Sequence, residues 1–184
     1  QRLKLLVDTG AGYYIDTSTA RRLQLPLHQE SLDGQSMTMT NWPSFKTGRG
    51  VPLHPGLGRA VFVDDGSANP WASDGIIGGP AFLGHAWKFD YAHQSLTRLG
   101  KSWQPDPQAH RVALGFAHDA KGDIGMPYPR ITIRVNGTPE DMLLDTGATA
   151  HPTPAGLKAS GIATTAGIGV TSYITTSVFE QWHK

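Results

Sequence analysis

Apolar and polar positions along this chain fall into short runs of period two, separated by glycine, proline and asparagine. Arg130-Ile131-Thr132-Ile133-Arg134-Val135 alternates strictly, as a strand with one buried face does. Asn136-Gly137 follows and supplies the two positive φ angles of a tight turn, so that Glu140–Leu144 reads as the returning strand of a hairpin. Met37–Thr40 and Arg59–Val63 predict two further strands, and Trp87–Tyr91 with Ser95–Leu99 predict a second pair around a turn.

The same pattern contains an internal repeat. Leu3–Val7 runs into Asp8-Thr9-Gly10-Ala11-Gly12, and Asp141–Leu144 runs into Asp145-Thr146-Gly147-Ala148-Thr149, with the two aspartates 137 residues apart. Beyond each motif stands an apolar residue, a Thr/Ser stretch suited to capping and a run that permits a helix: Ile15–Arg22 in the first copy, Ile174–Gln181 in the second. Ile15 follows Asp8 by seven residues, whereas Ile174 follows Asp145 by 29. The second copy therefore carries an insertion, about 150–173, rich in Gly, Ala, Thr and Pro and read as an irregular loop. A period this long belongs to two related lobes and not to a stacked solenoid. The expected organisation is an N-terminal lobe over 1–102, a proline-containing linker over 103–109 and a C-terminal lobe over 110–184. His110–Phe116 would open that second lobe. Compared with the hairpin before the second motif, the first copy starts inside its second strand, and the second copy lacks the strands that follow the helix of the first. The favoured reading is thus a fragment with an incomplete second lobe, and the alternative is a degenerate second lobe.

Composition narrows the picture. Twenty-two glycines and 13 prolines among 184 residues are nearly a fifth of the chain, against roughly 12% on average, which favours short strands and many turns. With 39% hydrophobic residues the chain can bury a core. Sixteen basic residues balance 15 acidic ones and no like-charged block occurs, which argues against nucleic acid or an anionic membrane as partner. No apolar run approaches the ~18 residues of a membrane span. The absence of cysteine excludes disulfides, thiolate metal sites and a cysteine nucleophile. It is compatible with any compartment, a secreted or periplasmic one included.

A chance Asp-Thr-Gly arises in a chain of this length only a few times per hundred sequences, at roughly 5–7% usage of each residue type. A single copy is readily explained as a turn, but a matched pair, each behind an apolar strand and each followed by alanine, is not. These residues resemble those of the aspartic peptidases, the clan of pepsin and retropepsin, in which one Asp-Thr-Gly loop from each of two lobes meets at a pseudo-twofold axis. Asp74-Gly75-Ile76-Ile77-Gly78, followed by Phe82-Leu83, is similar to the apolar-apolar-glycine strand that packs across that loop within one lobe. The resemblance implies an all-β, two-lobed pepsin/retropepsin-like barrel with short helices. It implies Asp8 and Asp145 as a catalytic dyad, with Thr9, Gly10, Ala11, Thr146, Gly147 and Ala148, together with Ile76, Ile77 and Gly78, as supports of the active-site loops. The threonines would bond across the lobes, and the glycines would let two backbones approach without a Cβ.

The expected activity is endopeptidase hydrolysis of an extended polypeptide, with a carboxylate pair sharing one proton to activate water. It needs no metal or other cofactor. A flap over the cleft is expected within 41–51, where Trp42, Phe45 and Gly48 combine apolar contact groups with flexibility; an inward-packed aromatic on a surface hairpin is the plainer alternative. Both motifs lie in one chain, so a two-lobed monomer is favoured over a retropepsin-like dimer. The rival function is a catalytically inactive peptide-binding or assembly module on the same fold, since Gly167-Ile168-Gly169 falls too early to be the second apolar-glycine strand. The eight histidines have no metal-binding spacing. His151 is the nearest of them to a motif and reads as a loop residue, while Asp64-Asp65-Gly66-Ser67 reads as a turn and not a calcium loop.

Overall fold

The computed structural model describes residues 1–32, 34–43, 60–64, 73–148 and 180–181. These form an all-β assembly of eleven strands with a short α-helix, a 3-10 turn and two further helical residues at 180–181. The strands are β1 (Leu5–Asp8), β2 (Tyr14–Asp16), β3 (Leu27–Leu32), β4 (Gln35–Asn41), β5 (Ala60–Asp64) and β6 (Gly75–Gly78), then β7 (Trp87–Asp90), β8 (Ser95–Arg98), β9 (Leu114–His118), β10 (Ile124–Val135) and β11 (Thr138–Leu143). The helix α1 is Thr17–Arg22 and the 3-10 turn is Gly79–Phe82.

The first six strands make one open sheet in the order β1-β6-β2-β5-β4-β3. β1 lies parallel to β6 in the register Leu5↔Gly75 to Asp8↔Gly78, and β2 is inserted between β6 and β5. This interior position buries Ile15 completely, a gain of about 1.5–3 kcal/mol for a side chain of that size. Tyr13, Ile15, Ala20, Ile77 and Ala81 form the core, with Leu5, Leu25, Trp42, Val63 and Phe82 packed against it. The Asp16 carboxylate starts α1 by accepting the N–H groups of Ser18 and Thr19, which would otherwise lack partners at the helix start.

Asp74, just ahead of β6, ties three elements together. Its carboxylate accepts the Lys4 backbone N–H (2.7 Å) at the start of β1, the hydroxyl of buried Thr19 (2.9 Å) in α1 and the guanidinium of Arg22. Burial works to raise the pKa of Asp74, but the Lys4 N–H, Arg22 and Thr19 outweigh it and hold the carboxyl below its ordinary value.

β9, β10 and β11 form a separate sheet in the order β11-β10-β9. The predicted hairpin is present, with Arg130↔Leu143 through Val135↔Thr138 in register. Asn136 and Gly137 turn it with φ of 49° and 84°. β10 extends further toward the N-terminus than the alternation indicated and shifts register against β9 between Met126 and Arg130. Pro127 and Pro129 fall in that stretch, and a residue without an N–H cannot continue the ladder. β7 and β8 pair as predicted from Trp87↔Arg98 to Asp90↔Ser95. Phe82 joins this hairpin to the core through ring contacts with Trp87 (5.3 Å between centroids) and Phe89 (5.5 Å). Residues 103–109 carry no helix or strand. Of the repeated run Ile174–Gln181, only Glu180 and Gln181 are described, and both are helical; the rest, and the insertion over 150–173, lie outside the described residues.

Candidate active site

Each motif begins where a strand ends. Asp8 closes β1, and the chain then turns tightly, with the Ala11 N–H bonded to the Asp8 carbonyl (3.4 Å) and the Gly10 N–H to Asp8 Oδ1 (2.9 Å). The second motif repeats this local geometry, the Gly147 N–H donating to Asp145 Oδ1 (2.8 Å). Asp145 follows β11 by two residues, and the hairpin is continued through Leu144, whose N–H donates to the Pro129 carbonyl (2.8 Å).

The two loops bind each other reciprocally. The Thr9 N–H donates to Thr146 Oγ1 (3.1 Å), and the Thr146 N–H donates to Thr9 Oγ1 (3.0 Å). The hydroxyls then pass the bond on: Thr9 Oγ1 donates to the Leu144 carbonyl, and Thr146 Oγ1 to the Val7 carbonyl (3.2 Å). The four bonds map onto themselves when each residue of the first motif is exchanged with the one 137 positions later. This is the self-complementary pattern of a twofold interface, realised within one chain. Every hydroxyl both donates and accepts, so two half-buried loops are joined without stranding a polar group.

The glycines bring the carboxylates together. A Cβ on Gly10 would lie 2.6 Å from Asp145 Oδ2, and one on Gly147 would lie 2.3 Å from Asp8 Oδ2. Each aspartate therefore occupies the space that a side chain on the opposite glycine would need. Asp145 acts on Asp8 through a side-chain hydrogen bond and through its charge. Burial, then that bond and the negative charge of Asp145, push Asp8 up to about 6, against the lowering influence of the Gly10 and Ala11 N–H groups.

β6 supports the first loop from behind. Ile77 is buried in the core and Ile76 half-buried, while Gly78 stands so near the loop that a Cβ would lie 2.2 Å from the carbonyl oxygens of Ala11 and Gly12. The Gly79 N–H donates to the Ala11 carbonyl (2.8 Å). Ala148 is half-buried at the end of the second loop. Of the residues expected in a flap, Trp42 is stacked at a tilt on Tyr13 (4.7 Å between centroids) and packed against the core. Phe45 and Gly48 lie outside the described residues.

Four contributors were not singled out in the sequence. Val7 and Leu144 act through backbone carbonyls, which no side-chain pattern reveals, although the repeat places both one residue before an aspartate. Gly79 and Tyr128 meet where β10 approaches the 3-10 turn; nothing in the hydrophobic pattern marks that contact. Two surface hollows of about 340 and 310 Å³ lie elsewhere, one against β9 and β10 beside Arg130 and Asp141, the other between α1, β3 and β4. Neither is lined by either aspartate. Among the described residues there is no group of three or more His, Asp or Glu side chains placed to hold a metal ion, and no helix is long and apolar enough to cross a membrane.

No protein-family model, no curated protein and no solved structure matches this chain.

Proposed function

We propose that this chain is an aspartic endopeptidase of the pepsin/retropepsin-like kind, with Asp8 and Asp145 as its dyad and a two-lobed barrel as its plan. The observation that carries the reading is the contact of two carboxyls, 137 residues apart, through loops that bond to each other reciprocally. Fold maintenance alone does not explain that contact. Two carboxylates so close repel when both are ionised, and a purely structural junction would be better served by a neutral pair. An arrangement that retains one proton between two carboxyls is instead suited to simultaneous acid and base work.

The reaction follows from that state. A water held between the carboxyls gives a proton to the ionised one as its oxygen bonds to the peptide carbonyl carbon. The protonated carboxyl gives its proton to the carbonyl oxygen, and a neutral tetrahedral diol results. Breaking the C–N bond, with proton transfer from the diol to the departing amine through the same pair, releases the two products and restores the single shared proton. The threonine bonds hold the carboxyls in place throughout, which lowers the cost of reorganisation. The substrate is a polypeptide bound extended and paired by its backbone to strand edges.

The test is cleavage of a peptide library between pH 3 and 7, with and without a statine-type transition-state analogue. Cleavage that the analogue blocks and that Asp145→Asn reduces by at least about 10³-fold, the scale of a general acid–base contribution, is the expected result. Retained cleavage in that variant overturns the assignment. Peptide binding without cleavage by the unaltered chain points to the non-catalytic binding module.

A further inference from the structure

Tyr128 crosses from the second sheet to the first loop and takes no part in the threonine bonds. It stands in β10 between Pro127 and Pro129, where that strand leaves register with β9. The prolines fix φ on both sides and remove two backbone donors, so the tyrosine's backbone has little freedom. The ring rests against the side of Gly79 that has no side chain: a Cβ there would lie 3.2 Å from Tyr128 Cδ1 and 2.4 Å from the Pro127 carbonyl oxygen. The phenol oxygen comes over Gly12, where an added Cβ would meet Tyr128 Oη at 3.8 Å and, among the described residues, nothing else within 4 Å. The residue is half-buried, and among the described residues no hydrogen bond engages its hydroxyl. An aromatic body is thus fixed in place with its polar tip open.

The tip is near the candidate dyad. Gly12 is four residues beyond Asp8, and a chain reaches at most ~3.6 Å per residue, so the two are within roughly 14 Å. An extended substrate advances ~3.3 Å per residue, which puts the slot between Gly12 and Tyr128 within about four residues of the bond to be cut. Backbone groups of such a substrate pair with strand edges, leaving its side chains for groups that project from the walls. We propose that Tyr128 determines specificity, its hydroxyl hydrogen-bonding a polar substrate side chain that lies along Gly12. The location of the cut bond in this argument rests on the aspartic peptidase reading; the contact itself does not require cleavage.

The experiment compares the unaltered chain with Tyr128→Phe and Gly12→Ala in two readouts: cleavage of a randomised peptide library, and binding of that library to the same chains carrying Asp145→Asn. Tyr128→Phe should lower kcat/KM, and affinity, about 2- to 12-fold for peptides with Ser, Thr, Asn or Gln at one position, the range of one net hydrogen bond. Peptides with Leu or Val there, the thermal midpoint and the pH profile should not change. Gly12→Ala adds a methyl in ordinary contact with the phenol and should shift the same position toward smaller side chains; it reads the slot even if Tyr128→Phe does not fold. An unchanged preference in both variants, or an equal loss for every peptide, overturns the proposal. Binding without cleavage, with the preference still altered by Tyr128→Phe, removes the peptidase reading and leaves the contact standing. A chain that neither binds nor cleaves overturns both.

Discussion

The carboxyl of Asp8 is subject to opposing influences, since the N–H groups of Gly10 and Ala11 favour its charged form while burial and Asp145 favour the neutral one. The second pair prevails, and Asp8 keeps its proton up to about pH 6. Under the proposed reaction one of the two carboxyls must be protonated, so kcat/KM, which reports the free enzyme, should fall as pH rises through about 6. A profile flat from pH 3 to 9 contradicts this. The glycine opposite matters too. A methyl on Gly147 would lie 2.3 Å from Asp8 Cγ and Oδ2. A side chain can swing away where backbone cannot, so Gly147→Ala should cost only about 1–3 kcal/mol in denaturant unfolding. Displacing the carboxyl should reduce activity about 10²-fold or more. Near-normal activity in that variant would show that the close approach is dispensable.

At the level of elements, β6 and the first motif loop behave as one unit. β1 and β6 run parallel so that Asp8 lies beside Gly78, and the loop folds back over that glycine. Gly78→Ala would set a methyl 2.2 Å from two backbone oxygens. Neither oxygen can rotate aside, so the strand or the loop must shift, and a loss of about 3 kcal/mol or more is expected. Urea melts of Gly78→Ala and Gly147→Ala side by side check the contrast, and equal losses would refute it. Local pattern revealed some elements and missed others for identifiable reasons. The β10–β11 hairpin was legible because alternation and Asn136-Gly137 agree. β3 was not, because Leu27–Leu32 is largely exposed, shows little alternation and is a strand by virtue of its pairing with β4. The N-terminal part of β10 was obscured by Pro127 and Pro129, which argue against a regular strand and in fact mark its irregularity.

Across the whole molecule, one carboxylate braces the six-stranded sheet and a pair of loops joins it to the three-stranded sheet. Asp74 has its folded pKa below the unfolded value, so the stability it contributes is present above the ordinary carboxylate range, near pH 4, and is lost as pH falls through the folded value. Asp74→Asn should therefore lower the thermal midpoint at pH 7, and the two chains should converge as the medium becomes strongly acidic. A constant gap at all pH values would remove the brace from the explanation. The sequence by itself determined the all-β character, the duplicated Asp-Thr-Gly unit and the apolar strand behind the first copy. These rest on period, turn residues and repetition, which are local or directly comparable along the chain. Only the tertiary structure decided that two loops 137 residues apart exchange hydrogen bonds through Thr9 and Thr146, that each aspartate fills the space left by the opposite glycine, and that Tyr128 crosses onto Gly79 and Gly12. Those facts depend on close approach between distant segments, and a residue's spacing in sequence carries no information about which backbone will come within a methyl's width of it.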